Sequence, residues 1–309
     1  MLSSLPNELL HLILAELLFV DYDMFSHRSP AQLLARRAEA KSLSLVCRCW
    51  RRVLVPITLE TVILNSELEA KTFASMLRLK HVGPYIKKLR IGGGYGRFIH
   101  SILSNIPGLA FISVSLDIPS KDKAGGLCSG LKLINPKHLI LRDSKVLGNQ
   151  GVINVIDVLI ECMTSVWSNL VRVPLDMFLF STCPNSSNQV SYEHPYDEYV
   201  WLYNVSRAHQ RARHTRAADL ARALARIPKL QTVYVPRVNI VQEDDVVLNA
   251  IKNPSLQRIY SRIYWISDKE NFPGFEEAFK TYPRLREVVH FPLPGPWTSP
   301  VYVAVGDRD

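Results

Sequence analysis

The chain has 309 residues, of which 47% are hydrophobic, and this is enough apolar material for one or two domains with a real core. Its five scattered cysteines lack the paired spacing of a zinc site or a small disulfide framework, so we expect reduced and mostly buried thiols. The net charge of +9 favours an acidic partner, and because no apolar run resembles a secretory signal or a membrane span, we expect a cytosolic or nuclear location.

Three helical patterns follow one another over residues 6–18, 31–40 and 42–54. Pro6 fits the first position of a helix because its φ is fixed and it has no N–H, and Pro56 is expected to end the third helix. The apolar stripes of these helices are wider than so short a module can bury within itself. We therefore expect part of this apolar surface to contact another polypeptide.

The residues of these helices resemble the F-box. The string LPNELLHLILAEL, followed after a spacer by SLSLVCRCWRRVLVP, is similar to the family pattern of Leu-Pro-x-Glu, an Ile or Leu ladder, and then Leu-x-x-Val-Cys-x-x-Trp. The spacer, residues 19–41, is longer than in the family pattern. Since the F-box docks on the Skp adaptor of Skp-cullin-F-box ubiquitin ligases, the resemblance implies an adaptor-binding module over residues 1–56. Carried over by position, the resemblance implies adaptor contacts at Leu5, Pro6, Leu9, Ile13, Leu45, Val46, Cys47 and Trp50.

Beyond the helical module the sequence alternates between strand and helix patterns. Residues 57–64 are rich in β-branched side chains and predict a buried strand. Ser66 and Glu69 follow at the spacing of a capping box, which predicts the start of the next helix. This alternation indicates an α/β fold.

A glycine-rich segment at 92–96 lies between a predicted strand at 86–91 and a predicted helix that begins at Arg97, as a nucleotide-binding loop would. The dinucleotide fingerprint requires glycine at position 97, and no phosphate-loop Gly-Lys-Ser or Gly-Lys-Thr follows. We interpret the segment as a strand-to-helix connection, with a nucleotide-dependent enzyme as the alternative. Because no metalloprotease or serine-hydrolase motif occurs either, we expect no catalytic residues, no cofactor and no metal.

A motif of Pro, any residue, Leu, two residues and an aliphatic residue recurs at Pro107, Pro228, Pro254 and Pro283, with looser copies elsewhere. Leucines 109, 139, 170, 230, 256 and 285 are separated by 30, 31, 60, 26 and 29 residues, intervals close to those of leucine-rich repeats. The interval of 60 would correspond to two units if residues 199–205 hold a divergent copy.

These intervals predict an irregular leucine-rich-repeat-like strand-helix solenoid over residues 57–309, with a Pro-rich end at 292–300. Leucine-rich repeats after an F-box are also what the family resemblance implies. A doubly wound α/β sheet is the alternative architecture. The polar stretch 181–199 is interpreted as a long loop, either a recognition loop or a variable insertion.

The densest positive run extends from residue 207 to residue 226 on a predicted helix. It is either a patch for an acidic partner or for phosphates, or the solvated outer face of a repeat helix. The candidate contact residues in this run are Arg207, Arg211, Arg213 and Arg216.

The sequence thus predicts a substrate receptor that is not itself an enzyme. The expected partners are a Skp-type adaptor, through it a cullin scaffold of a RING ubiquitin ligase, and client proteins that the repeats hold. The alternative is a basic nucleic-acid-binding or general scaffold protein that uses residues 207–226.

Overall fold

The computed structural model of the protein describes residues 5–20, 24–25, 31–119, 122–142, 149–176, 218–235, 246–261 and 279–290. Within these residues eight strands form one sheet, and each strand pairs in parallel with the next strand along the chain. The strands are β1 (Thr61–Leu64), β2 (Lys88–Ile91), β3 (Phe111–Ser115), β4 (His138–Arg142), β5 (Arg172–Asp176), β6 (Thr232–Val235), β7 (Arg258–Ser261) and β8 (Val289–His290).

Helices precede the sheet and connect its parallel strands, as such crossovers require. They are α1 (Asn7–Leu17), α2 (Ala31–Leu43), α3 (Arg48–Glu60), α4 (Glu67–Lys80), α5 (Arg97–Leu103), α6 (Gly125–Leu131), α7 (Gln150–Glu161), α8 (Val246–Ala250) and α9 (Arg284–Val288). Residues 218–224 are also helical, a 3₁₀ turn spans Gly83–Tyr85, and a π-helical turn, Cys162–Val166, extends α7. The chain is therefore a mixed α/β protein.

The main core lies between one face of the sheet and the helices that connect the strands. Side chains alternate along every strand, so that Leu89 and Ile91 of β2 enter this core while Lys88 and Arg90 point to the opposite face. Successive helices α4 to α7 pack beside one another on the core side. The sheet therefore has one face covered by helices and a second face, which we call the strand face.

The residue before each strand repeats one backbone contact along the sheet. Lys87 donates its N–H to the carbonyl of Glu60 at 2.9 Å, and Ala110 donates to Lys87 at 2.9 Å. Equivalent bonds join Lys137 to Ala110, Val171 to Lys137, Gln231 to Val171 and Gln257 to Gln231. The recurrent leucines at 109, 170, 230 and 256 directly precede these positions and are buried, so each of them packs the start of a strand into the core.

The strand order corrects two predictions. Because Val173 of β5 pairs directly with Val233 of β6, the sheet has no place between them for the further copy predicted at residues 199–205, which lie outside the described residues. The doubly wound alternative is also wrong for the described strands, because such a sheet reverses its strand order at a switch point and this one does not.

The boundaries of the third helix differ from the prediction. It begins at Arg48 and continues to Glu60, so residues 57–60 form its last turn and only 61–64 of the predicted strand are extended. Pro56 does not end it. The N–H missing at Pro56 would bond the carbonyl of Arg52, and since Arg52 is exposed, water can satisfy that carbonyl.

Three further local predictions were tested by the fold. The capping box is confirmed, because the Ser66 hydroxyl accepts from the Glu69 N–H at 3.2 Å. Pro6 is the N-cap residue and not the first helical residue, since its carbonyl accepts the first helical bond, from Leu10. In the last repeat motif the Leu is expected to enter a strand, but Leu285 lies in the short helix α9. Pro283 is the N-cap of this helix and already has helical backbone angles.

Candidate functional site

The first helix carries two adjacent apolar stripes with different surroundings. Leu10 and Leu14 are buried and, with Leu18, belong to a small core that α1, α2 and α3 share, separate from the core under the sheet. Leu9 and Ile13 lie one position earlier in each turn and are 49% and 54% exposed. Packing against α2 and α3 therefore buries only one of the two stripes of α1, and the second faces outward.

A second exposed apolar group lies in the turn between α2 and α3. Leu45 is 69% exposed and Val46 is 58% exposed. The next residue, Cys47, is the N-cap of α3, and its Sγ accepts the Trp50 N–H at 3.5 Å. This cap fixes the direction in which the turn enters the helix, and so it fixes where Leu45 and Val46 point.

The eight predicted adaptor contacts divide into two sets. Leu5 and Trp50 are half-buried and pack against the small N-terminal core, so most of their area contributes to the module's own folding. The other six are exposed: Pro6, Leu9, Ile13, Leu45, Val46 and Cys47.

Leu12 and Leu17 are not among the predicted adaptor contacts, although Leu17 belongs to the helical apolar pattern of α1, and they are 64% and 47% exposed. Leu17 continues the outward stripe of Ile13 by one helical turn. Leu12 lies on the other side of α1, where it lines an open groove against Arg52 and Pro56 of α3. Its spacing is compatible with the stripe of Leu9 and Ile13, because Leu12 lies three residues after Leu9, but the F-box pattern assigns no contact to this position.

The expectation of mostly buried cysteines is wrong for two of the four described ones. Cys47 and Cys49 are exposed, Cys128 is half-buried and Cys162 is buried, and all four are free thiols. Cys47 and Cys49 are exposed because one caps α3 at its surface end, while the Sγ of the other donates to Oδ1 of Asn7, at 3.2 Å, on the outside of α1.

The spacer between α1 and α2 attaches the N-terminal helices to the strand face. The Lys88 ammonium on β2 donates to the carbonyl of Val20 at 2.7 Å and lies 5.5 Å from the ring centre of Phe19. The buried Arg90 guanidinium donates to the carbonyl of Phe25 at 3.4 Å. Two cations of β2 thus hold the described spacer residues Phe19, Val20 and Phe25 against the sheet.

The strand face is basic. Among the residues of β1 to β8 five are Lys or Arg and one, Asp176, is acidic. All five basic residues occupy the positions that alternate with the core residues of the same strands. They are Lys88, Arg90, Arg142, Arg172 and Arg258.

Aromatic rings accompany these cations. Phe111 and His138 are register partners on β3 and β4 and stack with their centroids 4.1 Å apart. Tyr234 and Tyr260 stack in the same way on β6 and β7, at 5.0 Å. Burial, aided by the positive charges of Arg172 and Lys137, lowers the pKa of His138 to about 3, so its imidazole is neutral near pH 7.

The glycine-rich segment does not have the geometry of a phosphate site. The Gly94 N–H, which a phosphate would need, donates to the Asp122 carboxylate at 2.6 Å, and that negative charge would repel an anion. The Tyr95 hydroxyl donates to the carbonyl of Leu64 at 3.4 Å. The segment therefore forms hydrogen bonds to Asp122 and Leu64 and connects β2 to α5, in agreement with its interpretation as a strand-to-helix connection.

The Arg-rich run falls mostly outside the described residues, which exclude Arg207, Arg211, Arg213 and Arg216. In its described part Arg222 pairs with Asp219 at 3.0 Å. The polar stretch 181–199 and the Pro-rich end at 292–300 also lie outside the described residues.

The described residues contain no helix long and apolar enough to cross a membrane and no cluster of three potential metal ligands. No protein-family model matches the chain, and no curated protein matches it at a significant level.

Proposed function

We propose that the protein is an F-box-type substrate receptor. Its N-terminal helices bind a Skp-type adaptor, which connects the receptor to the cullin scaffold of a RING ubiquitin ligase. Its strand-and-helix domain holds a client protein while other subunits transfer ubiquitin. The receptor itself contributes protein–protein interaction and no catalytic group.

The observation that carries this proposal is the exposure of four of the residues that the F-box resemblance assigns to the adaptor. Leu9, Ile13, Leu45 and Val46 are each about half exposed or more, although the module has a separate small core available. An apolar surface of this kind lowers its free energy when another polypeptide covers it, by about 25 cal/mol for each Å² removed from water. It is thus suited to helix-mediated docking.

The proposed domain architecture is an irregular leucine-rich-repeat-like solenoid. Consecutive parallel pairing and one recurring backbone bond before each strand support it. The bonded positions 60, 87, 110, 137 and 171 are 27, 23, 27 and 34 residues apart, near the length of one strand-helix repeat. In such an architecture each unit contacts its neighbours, and the strand face extends into a continuous surface for a client.

Adaptor binding tests the proposal. The full chain is co-expressed with a Skp-type adaptor, and the complex is isolated through a tag on the adaptor. We expect the wild type to co-purify, and we expect Leu9→Glu together with Ile13→Glu to reduce the recovered complex at least tenfold, because two carboxylates would be buried without partners.

A matched control uses exposed leucines outside the N-terminal helices. Leu68 and Leu79 on α4 are 73% and 79% exposed, so Leu68→Glu with Leu79→Glu changes charge and apolar area equally. This control should bind the adaptor like the wild type. Equal recovery of the Leu9/Ile13 variant and the wild type would refute the assignment, as would a wild type that does not bind.

A further inference from the structure

The charge of the strand face differs from that of the chain as a whole. The sequence contains 28 acidic residues against 37 Lys and Arg, whereas the eight strands contain one against five. Near Arg172 and Arg258 no described carboxylate forms an ion pair with either guanidinium. Among the described residues these two positive charges therefore have no carboxylate partner, although Arg258 also donates to the Tyr260 hydroxyl at 3.3 Å, and both can accept an external acidic group.

The register fixes how far apart these charges lie. Lys88, Phe111, His138, Arg172, Thr232 and Arg258 occupy one row across the sheet. Because neighbouring strands are about 4.8 Å apart, the backbones of Arg172 and Arg258 lie about 10 Å apart, with Thr232 between them. In a polyproline II segment, which rises about 3.1 Å per residue with three residues per turn, carboxylates three residues apart lie on one side about 9 Å apart and match this spacing.

The aromatic rings of the strand face favour a polypeptide over a nucleic acid. Phe111 has His138 stacked at 4.1 Å and the Lys88 ammonium 5.7 Å from its ring centre, and Tyr234 stacks on Tyr260. Single-stranded nucleic acids bind mainly by stacking bases on aromatic faces, and here one face of each ring already contacts a neighbouring ring. Carboxylates need only the guanidinium groups of Arg172 and Arg258 in this row.

We infer that the strand face between β5 and β7 binds an acidic segment of a partner polypeptide, with Arg172 and Arg258 as the charged contacts. Each guanidinium donates two N–H groups to one carboxylate, and the Thr232 position separates the two contacts. The identification of this partner as the ubiquitination client rests on the proposed function. Binding of the acidic segment does not.

Fluorescence anisotropy tests the inference with the full chain. The probe is a fluorescein-labelled oligo-glutamate, and an oligo-lysine of equal length and a single-stranded oligonucleotide are the comparison probes. We expect saturable binding of oligo-glutamate at low salt and none of oligo-lysine. Arg172→Glu with Arg258→Glu should weaken binding at least tenfold, because two charge-assisted contacts become repulsive.

The matched control is Lys71→Glu with Arg78→Glu, which changes the net charge equally at two exposed positions on α4, outside the strands. It should bind oligo-glutamate within about twofold of the wild type, since only screened long-range attraction is lost. Circular dichroism melting confirms that both variants are folded.

Three outcomes would overturn the inference. These are no binding of oligo-glutamate, equal weakening in both charge variants, and tighter binding of the oligonucleotide that displaces oligo-glutamate. Adaptor co-purification of the Arg172/Arg258 variant separates this inference from the proposed function. If the Arg172/Arg258 variant loses oligo-glutamate binding but still binds the adaptor, the result supports both the inference and the proposed function. If the wild type binds oligo-glutamate but not the adaptor, the proposed function fails and the acidic-segment site remains supported.

Discussion

His138 shows how one position of the strand face adapts to its surroundings. It is 7% exposed, stacks on Phe111, and its Nδ1 has no hydrogen-bond partner among the described residues. The neighbouring charges of Arg172 and Lys137 oppose protonation, and burial opposes it more strongly. The residue therefore acts as a flat, neutral ring in this fold and not as a titrating group near pH 7.

This depressed pKa predicts a pH dependence of stability. The unfolded chain protonates His138 below about pH 6.5, while the folded chain resists protonation until about pH 3. Because the unfolded state binds more protons in this window, the free energy of unfolding decreases as the pH falls through it. On acidification from about pH 7.5 to about pH 5, this residue should lower the free energy of unfolding by about 2 kcal/mol.

Urea unfolding at the two pH values measures the effect. The other titrating groups also change stability, so the comparison is with His138→Phe, which keeps a stacked ring and removes the proton site. We expect the variant to lose about 2 kcal/mol less than the wild type on acidification. Equal losses in the two proteins would show that His138 does not have a depressed pKa.

At the scale of elements, glycines decide how closely α5 and α6 approach. A Cβ added to Gly126 would lie 1.8 Å from the carbonyl oxygen of Gly96, and one added to Gly130 would lie 2.7 Å from a methyl group of Leu103. Gly96 itself has φ +55°, which favours glycine. These positions allow the backbone of α6 to approach the start of α5.

Gly126→Ala should therefore destabilise the fold by about 1–3 kcal/mol, because a backbone oxygen cannot move aside as a side chain can. Its neighbour Gly125 provides a control of opposite sign, since an added Cβ there meets nothing within 4 Å. We expect Gly125→Ala to be neutral or to stabilise by up to about 1 kcal/mol, through reduced backbone entropy of the unfolded chain. Thermal unfolding measures the melting temperatures of both variants. Equal changes in the two would contradict the close approach of α6 to α5 at Gly126.

At the scale of the whole molecule, the N-terminal helices and the sheet have separate cores that polar contacts join. Lys88 connects them at three points: the Val20 carbonyl, the Phe19 ring and, at 3.6 Å, the Glu60 carboxylate. Its side chain is only 13% exposed, whereas Glu60 and Phe19 are 47% and 57% exposed, so the bond to the half-buried Val20 is the best shielded of the three. The proposed receptor function would require such a fixed relation between the two proposed binding surfaces.

Replacing Lys88 by Met keeps the aliphatic chain and removes the ammonium. We expect a loss of about 1.5–3 kcal/mol, because a buried charged donor no longer satisfies the Val20 carbonyl. Hydrogen exchange should accelerate more in α1 than in the strands. The adjacent Lys87→Met is the control, since Lys87 is exposed and its place in the sheet depends on backbone atoms alone. Uniform acceleration throughout the molecule in the Lys88 variant would contradict a local attachment.

The amino-acid sequence by itself determined the local features of this protein. Helical spacing marked α1 and its wide apolar stripe, the capping box at Ser66 marked the start of α4, and the recurrent leucines marked the starts of several strands. Each of these features depends on residues within one or two turns of each other, and that is why it can be read from spacing alone.

Only the tertiary structure decided which stripe of α1 is buried, which strands are neighbours, and where the basic residues gather. Leu9 and Leu10 are the same residue type at adjacent positions, and the packing of α2 and α3 buries Leu10 while Leu9 stays exposed. Lys88, Arg172 and Arg258 are far apart in the chain, and parallel register places them in one row. Their shared position depends on the pairing of distant strands, which no local pattern of residues encodes.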